Sequence, residues 1–589
     1  MKLLAVFLLL PGLAFGAAES GPARMDHIAQ VYQKENGFSG SVLIAKDGKT
    51  LLDKGYGAKA DAPRPIGFMT AQITAAAILL LQQDGKLQIN SALPNYLPEA
   101  PEGWSKVTLR HLLAERSGLG RFDSFPDSKA LLEEKPAPQE LAKRVFADFP
   151  SPEPDKDFDL SWPNYILLGL VIERASGMSY GDFVQKRIFS PLGMSHTSLP
   201  ASTPDSDLTG FLFSAGGIVS TTGDLLRFEQ GLYGGKLLSP ASLDAMLAPS
   251  GPEKFFGLGI FMIDEDGRRL YGGEGDMPDG NGGVMAWRPH DRIATLLLGK
   301  GGDIVDLASK LSTVARGKKV VLRSELASTA QPNVLIPIDK FPMPGLNRER
   351  GLRLYVPPDY ADHPERRYPV IYMHDGQNLF DVKTTAYGTE WGVDETLNDL
   401  AKKTGFEAIV VGVDNSDKRM SELNPYSGPK LKEAEGPDYM RFIVEVVKPY
   451  IDRTYRTLPD REHTAIMGSS MGGLITHYAL QAYPQVFSKY GIFSPSYWAS
   501  PELVARAEKQ EMPAGTRLYV YCGGKEGPVM EDPARAMAAT LARQGPLENV
   551  TLHINPEAEH NEKFWRPEFR TAVLWLFQIK DKDSQALSH

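Results

Sequence analysis

The sequence predicts two domains in series: a mixed α+β domain, then an α/β domain on a mostly parallel sheet. Three observations predict this. After residue 345, short apolar runs alternate with helical stretches, the signature of βαβ units. Before residue 320, a hairpin signal and an alanine-rich helix come first. The chain has 589 residues, and single cores stop growing beyond about 250–300 residues.

The elements follow in order. Met1-Lys2 is a short cationic start, Leu3 to Leu13 an apolar run broken by Pro11, and Ala14-Phe15-Gly16 offers small residues to a signal peptidase. Residues 1–18 therefore read as a cleaved secretory signal. The run is short of the roughly 20 residues that span a bilayer. No cysteine follows it for lipid attachment, and no other stretch is apolar enough to insert stably. The expectation is an exported protein, periplasmic or extracellular. The first domain is expected over 25–319. Ser41-Ala45 and Thr50-Lys54 flank Asp47-Gly48 as a hairpin, and Thr70 to Gly85 reads as a helix. Residues 320–344, with Ser-Thr-Ala-Gln-Pro and Pro-Met-Pro-Gly, read as a linker or edge structure. In the second domain, over 345–580, the candidate strands are Tyr368-Met373, Ala408-Val413, Thr464-Met467, Gly491-Ser494, Leu518-Tyr521 and Thr551-Asn555.

Composition excludes several functions. Lys+Arg is 64 and Asp+Glu 73, a net charge of −9, and an acidic chain without basic blocks argues against nucleic acid. The single cysteine, Cys522, rules out an intrachain disulfide or a CxxC motif. There is no H-E-x-x-H, no acidic loop of calcium spacing and no glycine-rich phosphate loop, so neither metal nor cofactor is expected.

The second domain carries a nucleophile motif. Between a strand signal at Thr464-Met467 and a helix signal at Met471-Tyr483 lies Gly468-Ser469-Ser470-Met471-Gly472, a G-x-S-x-G. A sharp strand-to-helix turn needs small neighbours and lifts Ser470 Oγ above the sheet. A serine hydroxyl becomes nucleophilic when a base takes its proton and a carboxylate orients that base. In this arrangement the acid and then the histidine follow the serine. Glu526, just past the strand Leu518-Tyr521, is the candidate acid, with Asp532 as runner-up. His560, in the loop after Thr551-Asn555, is the candidate base. His553 lies inside that strand and reads as packing. His374, His463 and His477 do not fit the order and read as structural, with His374 a candidate to line the site. The oxyanion requires two aimed N–H donors. Met471, after the nucleophile, and Gln377, in His374-Asp375-Gly376-Gln377, are assigned to it.

These residues carry a resemblance. Tyr368 to Phe380, Glu390-Trp391, Pro449-Tyr450-Ile451, Tyr455-Arg456-Thr457, Gly468 to Gly473 and Ser494 to Trp498 look like the esterase D-type α/β-hydrolases. That group includes enterochelin, feruloyl and acetyl-xylan esterases, S-formylglutathione hydrolase and mycolyltransferases. The resemblance implies an α/β-hydrolase fold and a cofactor-free esterase with Ser470, Glu526 and His560 as triad. Glu526 stands where many relatives carry aspartate. The expected substrate is a small-molecule or oligosaccharide ester, with acetyl or hydroxycinnamoyl (feruloyl-type) esters of carbohydrates favoured. A siderophore trilactone, or acyl transfer instead of hydrolysis, is the alternative. Trp391, Trp498 and Arg419 are candidate substrate contacts, and Trp391, Tyr497 and Trp498 are expected to line an aromatic-accepting cleft.

The first domain resembles class C β-lactamase-related, penicillin-binding-like proteins. The resemblance rests on Phe38 to Ala45, Leu109-Arg110-His111-Leu112-Leu113, Ser117-Gly118-Leu119, Leu167-Leu168-Gly169, Pro191 to Met194 and Gly216-Gly217-Ile218. Relatives carry an S-x-x-K at the start of the alanine-rich helix. Here Phe68 stands for the serine and Ala71 for the lysine. The Y-x-N position falls at Leu160-Ser161-Trp162 and the third motif near Gly273-Glu274-Gly275. The resemblance thus implies a domain without that chemistry, and a cell-wall or polysaccharide-binding role is the alternative function for this half.

Overall fold

A computed structural model describes residues 21–580, apart from 123–124, 126–127, 201–207, 266, 278–279, 386–387, 429–430 and 511. The expected signal segment 1–18 lies outside the described residues. The chain forms two compact units, one up to Val320 and one from Val321. No helix among the described residues is long and apolar enough to cross a membrane.

In the first unit, strands β1 (Ser39–Lys46) and β2 (Lys49–Tyr56) form the expected hairpin. Asp47 and Gly48 both take positive φ, 51° and 75°, as a two-residue turn matched to strand twist requires. A short pair, β3 (Arg64–Pro65) and β4 (Val219–Ser220), stands apart. Strands β5 (Phe261–Glu265), β6 (Arg268–Asp276), β7 (Asn281–Arg288) and β8 (Ile293–Lys300) complete an antiparallel sheet of order β2-β1-β8-β7-β6-β5. The helix Thr70–Gln83 is buried at every position from Thr70 to Leu81. Its sequence is apolar on all sides, which suits a helix enclosed by others and not one lying on the surface. Thr74 fixes it by bonding Tyr180 Oη and the Ser214 carbonyl, each at 2.7 Å.

The second unit is an eight-stranded sheet of β9 (Val334–Met343), β10 (Arg348–Tyr355), β11 (Val370–His374), β12 (Ile409–Val413), β13 (Thr464–Ser469), β14 (Lys489–Phe493), β15 (Arg517–Gly523) and β16 (Val550–Asn555). Its order is β16-β15-β14-β13-β11-β12-β10-β9. The strands from β11 to β16 run parallel, and β9 and β10 are antiparallel additions. Strands β11 to β13 are wholly buried and rich in Val, Ile and Met, as expected where helices cover both faces. Each fully buried Val or Ile there contributes about 1.5–3 kcal/mol. After β11 the chain adds β12 on one side and then β13 on the other. The order reverses between β11 and β13, and ligand crevices open at such a reversal.

One boundary differs from expectation. Residues 334–343, within the stretch read as linker or edge structure, form the edge strand β9, so the second domain starts before residue 345. Pro337 and Pro342 lie within it and blur the strand signal. An edge strand tolerates the missing donors.

Candidate active site

The elbow forms as the G-x-S-x-G implies. Strand β13 ends at Ser469 and the helix Met471–Ala482 begins two residues later. Ser470 between them holds φ 59° and ψ −121°, a conformation that costs a non-glycine residue on the order of 1–3 kcal/mol. Two backbone bonds lock it, Ser470 N–H to the Phe493 carbonyl at 2.9 Å and Ser496 N–H to the Ser470 carbonyl at 3.1 Å. Gly468 has no room for a side chain. A Cβ there would lie 2.8 Å from the Gly472 backbone and 2.9 Å from the His374 ring.

The candidate acid and base meet at the ends of β15 and β16. Glu526 closes a single 3₁₀ turn, Gly524–Glu526, directly after β15. The loops are drawn together by the Lys525 N–H on the Ala558 carbonyl, 3.0 Å, across a gap that only Gly523 and Gly524 leave open. Glu526 Oε2 lies 2.7 Å from His560 Nδ1. Its other oxygen accepts the Ser494 hydroxyl at 2.6 Å and the Gly523 N–H at 2.8 Å. The Glu526 side chain is fully buried, whereas His560 is 36 % exposed. The runner-up acid, Asp532, sits exposed on the helix Pro528–Ala542.

Among the described residues, the hydrogen bond of Ser470 Oγ is to Ser496 Oγ, 3.2 Å away, and Ser470 and His560 are not hydrogen-bonded. Such bonds often tighten only when substrate is bound. Gln377 lies in the 3₁₀ turn Gly376–Asn378 after β11, and Met471 is the first residue of the elbow helix. Among the described residues, neither backbone N–H meets a backbone acceptor, which leaves both able to donate to an oxyanion.

The turn that holds Gln377 is pinned by charge. Asp375, at φ 57°, accepts Arg419 Nε at 2.7 Å, Arg419 Nη2 at 2.8 Å and Asn415 Nδ2 at 2.6 Å. Burial pushes the Asp375 carboxyl up, but the guanidinium and the amide outweigh burial and hold it below its ordinary value. The Asn415 N–H also bonds Gln377 Oε1, 3.0 Å. Next to this turn, Asn378 Nδ2 donates to Glu562 Oε1 at 3.2 Å. Burial, reinforced by the charge of Asp375, raises Glu562 to about 7.

The remaining expected residues fall as follows. Trp391 does not line a cleft: it is 2 % exposed, stacked on Trp565 at 5.7 Å and edge-on to Phe493. Its packing partners lie far along the sequence, so local pattern could not reveal the burial. Arg419 is the partner of Asp375. Trp498 is partly buried in the turn Tyr497–Ala499 that follows Ser496. His374 is buried and bonds Tyr439 Oη at 2.8 Å, and burial lowers it to about 4. His477 is buried against Tyr497, and His463 pairs with Asp460. His553 corrects its reading as packing: it is 47 % exposed and bonds Glu568 at 2.7 Å. Ser494, Ser496, Asp375, Glu562 and Trp565 had no role in the sequence reading. Ser494, Ser496 and Asp375 lie in motifs that carry the resemblance, the signal that could have found them, whereas Glu562 and Trp565 lie in none.

Glu390, Asp394 and Glu395 bring carboxylate oxygens within 4.8 Å of one another. Arg566 answers their charge, 2.7 Å from Glu390 and 3.7 Å from Glu395. Burial, reinforced by the neighbouring Glu395, pushes the Asp394 carboxyl above its ordinary value. Arg566 offsets part of the cluster's charge from within the chain.

In the first unit, Phe68 lies in a 3₁₀ turn before the buried helix and packs edge-on to Tyr165 at 5.6 Å. Ala71 is fully buried. Trp162, in the Y-x-N region, stacks on Phe122 at 4.9 Å. Gly275 of β6 lets that strand press on the turn, since a Cβ there would overlap the Ile66 carbonyl.

Comparisons with known proteins agree with this division. Residues 25–310 match the family model "Beta-lactamase" and residues 344–576 the model "Putative esterase". The chain is 29 % identical over 279 residues to the "Putative penicillin-binding protein PbpX" of Bacillus subtilis, covering 42 % of this chain and 68 % of that protein. It is 25 % identical over 243 residues to the "Uncharacterized protein YbbA" of Bacillus subtilis, covering 39 % of this chain and 92 % of that protein. Among solved structures, the octameric penicillin-binding protein homologue from Pyrococcus abyssi matches with TM-score 0.44 and 20 % identity, over 50 % of this chain and 78 % of that one. The chain thus joins a β-lactamase-family domain, residues 25–310, to an esterase-family domain, residues 344–576.

Proposed function

We propose that the second domain is a serine carboxylic-ester hydrolase working through an acyl-enzyme on Ser470. The observation that carries this reading is the Glu526–His560 bond of 2.7 Å, formed at the same strand-end rim as a serine held at φ 59°. In the reaction, Ser470 Oγ leaves Ser496 and attacks the ester carbonyl carbon while His560 Nε2 takes its proton. The Met471 and Gln377 N–H groups receive the oxyanion. Collapse breaks the bond to the alcohol, which leaves with the proton from His560. Water, deprotonated by the same ring, then releases the acid and frees Ser470.

The favoured substrates are acetyl or hydroxycinnamoyl esters of carbohydrates. The partly exposed Trp498 near Ser496 supports an aromatic acyl group. The first domain is read as catalytically silent in its own family's chemistry, because Phe68 offers no nucleophile and Ala71 no base. The apolar N-terminus supports export. The test is hydrolysis of p-nitrophenyl acetate and methyl ferulate by the full chain. Ser470→Ala should lower kcat at least about 1,000-fold, and a variant that keeps its activity overturns the reading. Alcohol-acceptor products would assign acyl transfer instead.

A further inference from the structure

Trp565, on the last helix Glu562–Leu576, packs against His560 and reaches Glu526 through Ser494. Its indole N–H donates to Ser494 Oγ at 3.0 Å. The Ser494 hydroxyl in turn donates to Glu526 Oε1 at 2.6 Å. The Trp565 ring also meets the His560 ring edge-on, with centroids 5.0 Å apart and planes at 85°. Trp565 itself is 4 % exposed and stacked on Trp391, so its ring is held from behind. Ser494 is fully buried at φ 43°. That strained position aims its single proton, because the indole occupies the lone pair on the other side.

We propose that Trp565 is a positioning residue for the acid–base pair, orienting the Ser494 hydroxyl toward Glu526 and holding the His560 ring against its own. This rests on the esterase reading above. An indole N–H is a donor only, so Ser494 Oγ must accept from it and point its own proton at the carboxylate. Removing either donor leaves the carboxylate charge less satisfied by its neighbours. More of that charge then faces His560 and favours the imidazolium. The base is then lost at higher pH.

The experiment compares Trp565→Phe, Ser494→Ala and the double variant in the full chain. Trp565→Phe keeps an aromatic ring and removes the donor. It should lower kcat about tenfold with KM little changed, and move the acidic limb of the kcat/KM profile to higher pH. Ser494→Ala should move the limb the same way. The double variant should be no worse than Ser494→Ala alone, since both act through one chain of bonds. An unmoved limb in both single variants, or fully additive losses, overturns the proposal. If Trp565→Phe does not fold, the limb of Ser494→Ala decides alone. Loss of activity in Ser470→Ala alongside an unmoved limb here would sink only this proposal. Retained activity in Ser470→Ala would sink the esterase reading instead.

Discussion

Arg419 grips Asp375 with two parallel bonds, Nε to Oδ1 at 2.7 Å and Nη2 to Oδ2 at 2.8 Å, two residues before the Gln377 N–H assigned to the oxyanion. Asp375 is 6 % exposed, so removing the guanidinium strands a buried charge. Arg419→Met should destabilise by about 3 kcal/mol and lower kcat, measured by thermal melting and ester hydrolysis. Adding Asp375→Asn should restore most of the stability, because the stranded charge is gone. Asp375 also sets a pH dependence: its folded pKa is lowered, so its contribution is present above the unfolded value near 3.8 and fades as pH falls below it.

In the proposed mechanism Glu526 orients His560 and stabilises its charged form. Glu526→Gln keeps the shape but offers an amide in place of a carboxylate, which loses the charge that stabilises the imidazolium. A fall in kcat of about 1,000- to 10,000-fold is expected, by comparison with the equivalent change in serine proteases. The melting temperature should change far less than the rate, and steady-state kinetics beside a melting curve checks both.

Gly468→Ala tests the tightness of the elbow. The new methyl would press on the Gly472 backbone and the His374 ring. Both are buried and neither can swing clear. A loss of about 1–3 kcal/mol should accompany a drop in kcat larger than the change in KM. Wild-type rate and stability in this variant would refute the packing argument.

Glu562 gives the opposite pH sign to Asp375. Its folded pKa is raised to about 7 by burial, so its favourable contribution is complete below the unfolded value near 4.5. That contribution is lost as pH rises through 7. The loss amounts to about 3 kcal/mol at pH 8. Glu562→Gln should flatten stability between pH 5 and 8 and raise it at pH 8, as denaturant titrations at the two pH values would report.

The first domain should remain unlabelled by a fluorescent penicillin. Ala71 is fully buried in the helix, so Ala71→Lys places an unpartnered ammonium in the core and should destabilise by about 3–5 kcal/mol. Covalent labelling of the wild-type chain that survives Ser470→Ala would contradict the silent reading.

What was legible in the sequence was what local pattern carries. The hairpin at Asp47-Gly48, the buried helix from Thr70 and the strand–elbow–helix around Ser470 all show in spacing and turn chemistry. Glu526 and His560 were found because each follows a strand end, and the structure brings them into contact. Trp391 was misread as cleft-lining because its burial depends on Trp565 and Phe569, which no local window contains. Of the two readings of 320–344, linker or edge structure, the pairing of 334–343 with β10 selects the edge, and Pro337 and Pro342 hide that strand from local pattern. The clamp between Asp375 and Arg419 escaped notice because charge pairing across 44 residues leaves no trace in periodicity.

Strand β16 ends the sheet, pairs with β15 alone and buries none of its residues, yet the loop it feeds carries His560. Ser470 and Glu526 are anchored to interior strands. Fraying at a sheet margin takes less free energy than melting the interior. Gentle warming should therefore disarm the imidazole first, so that thermal inactivation sets in below the temperature at which the bulk of the second unit unfolds.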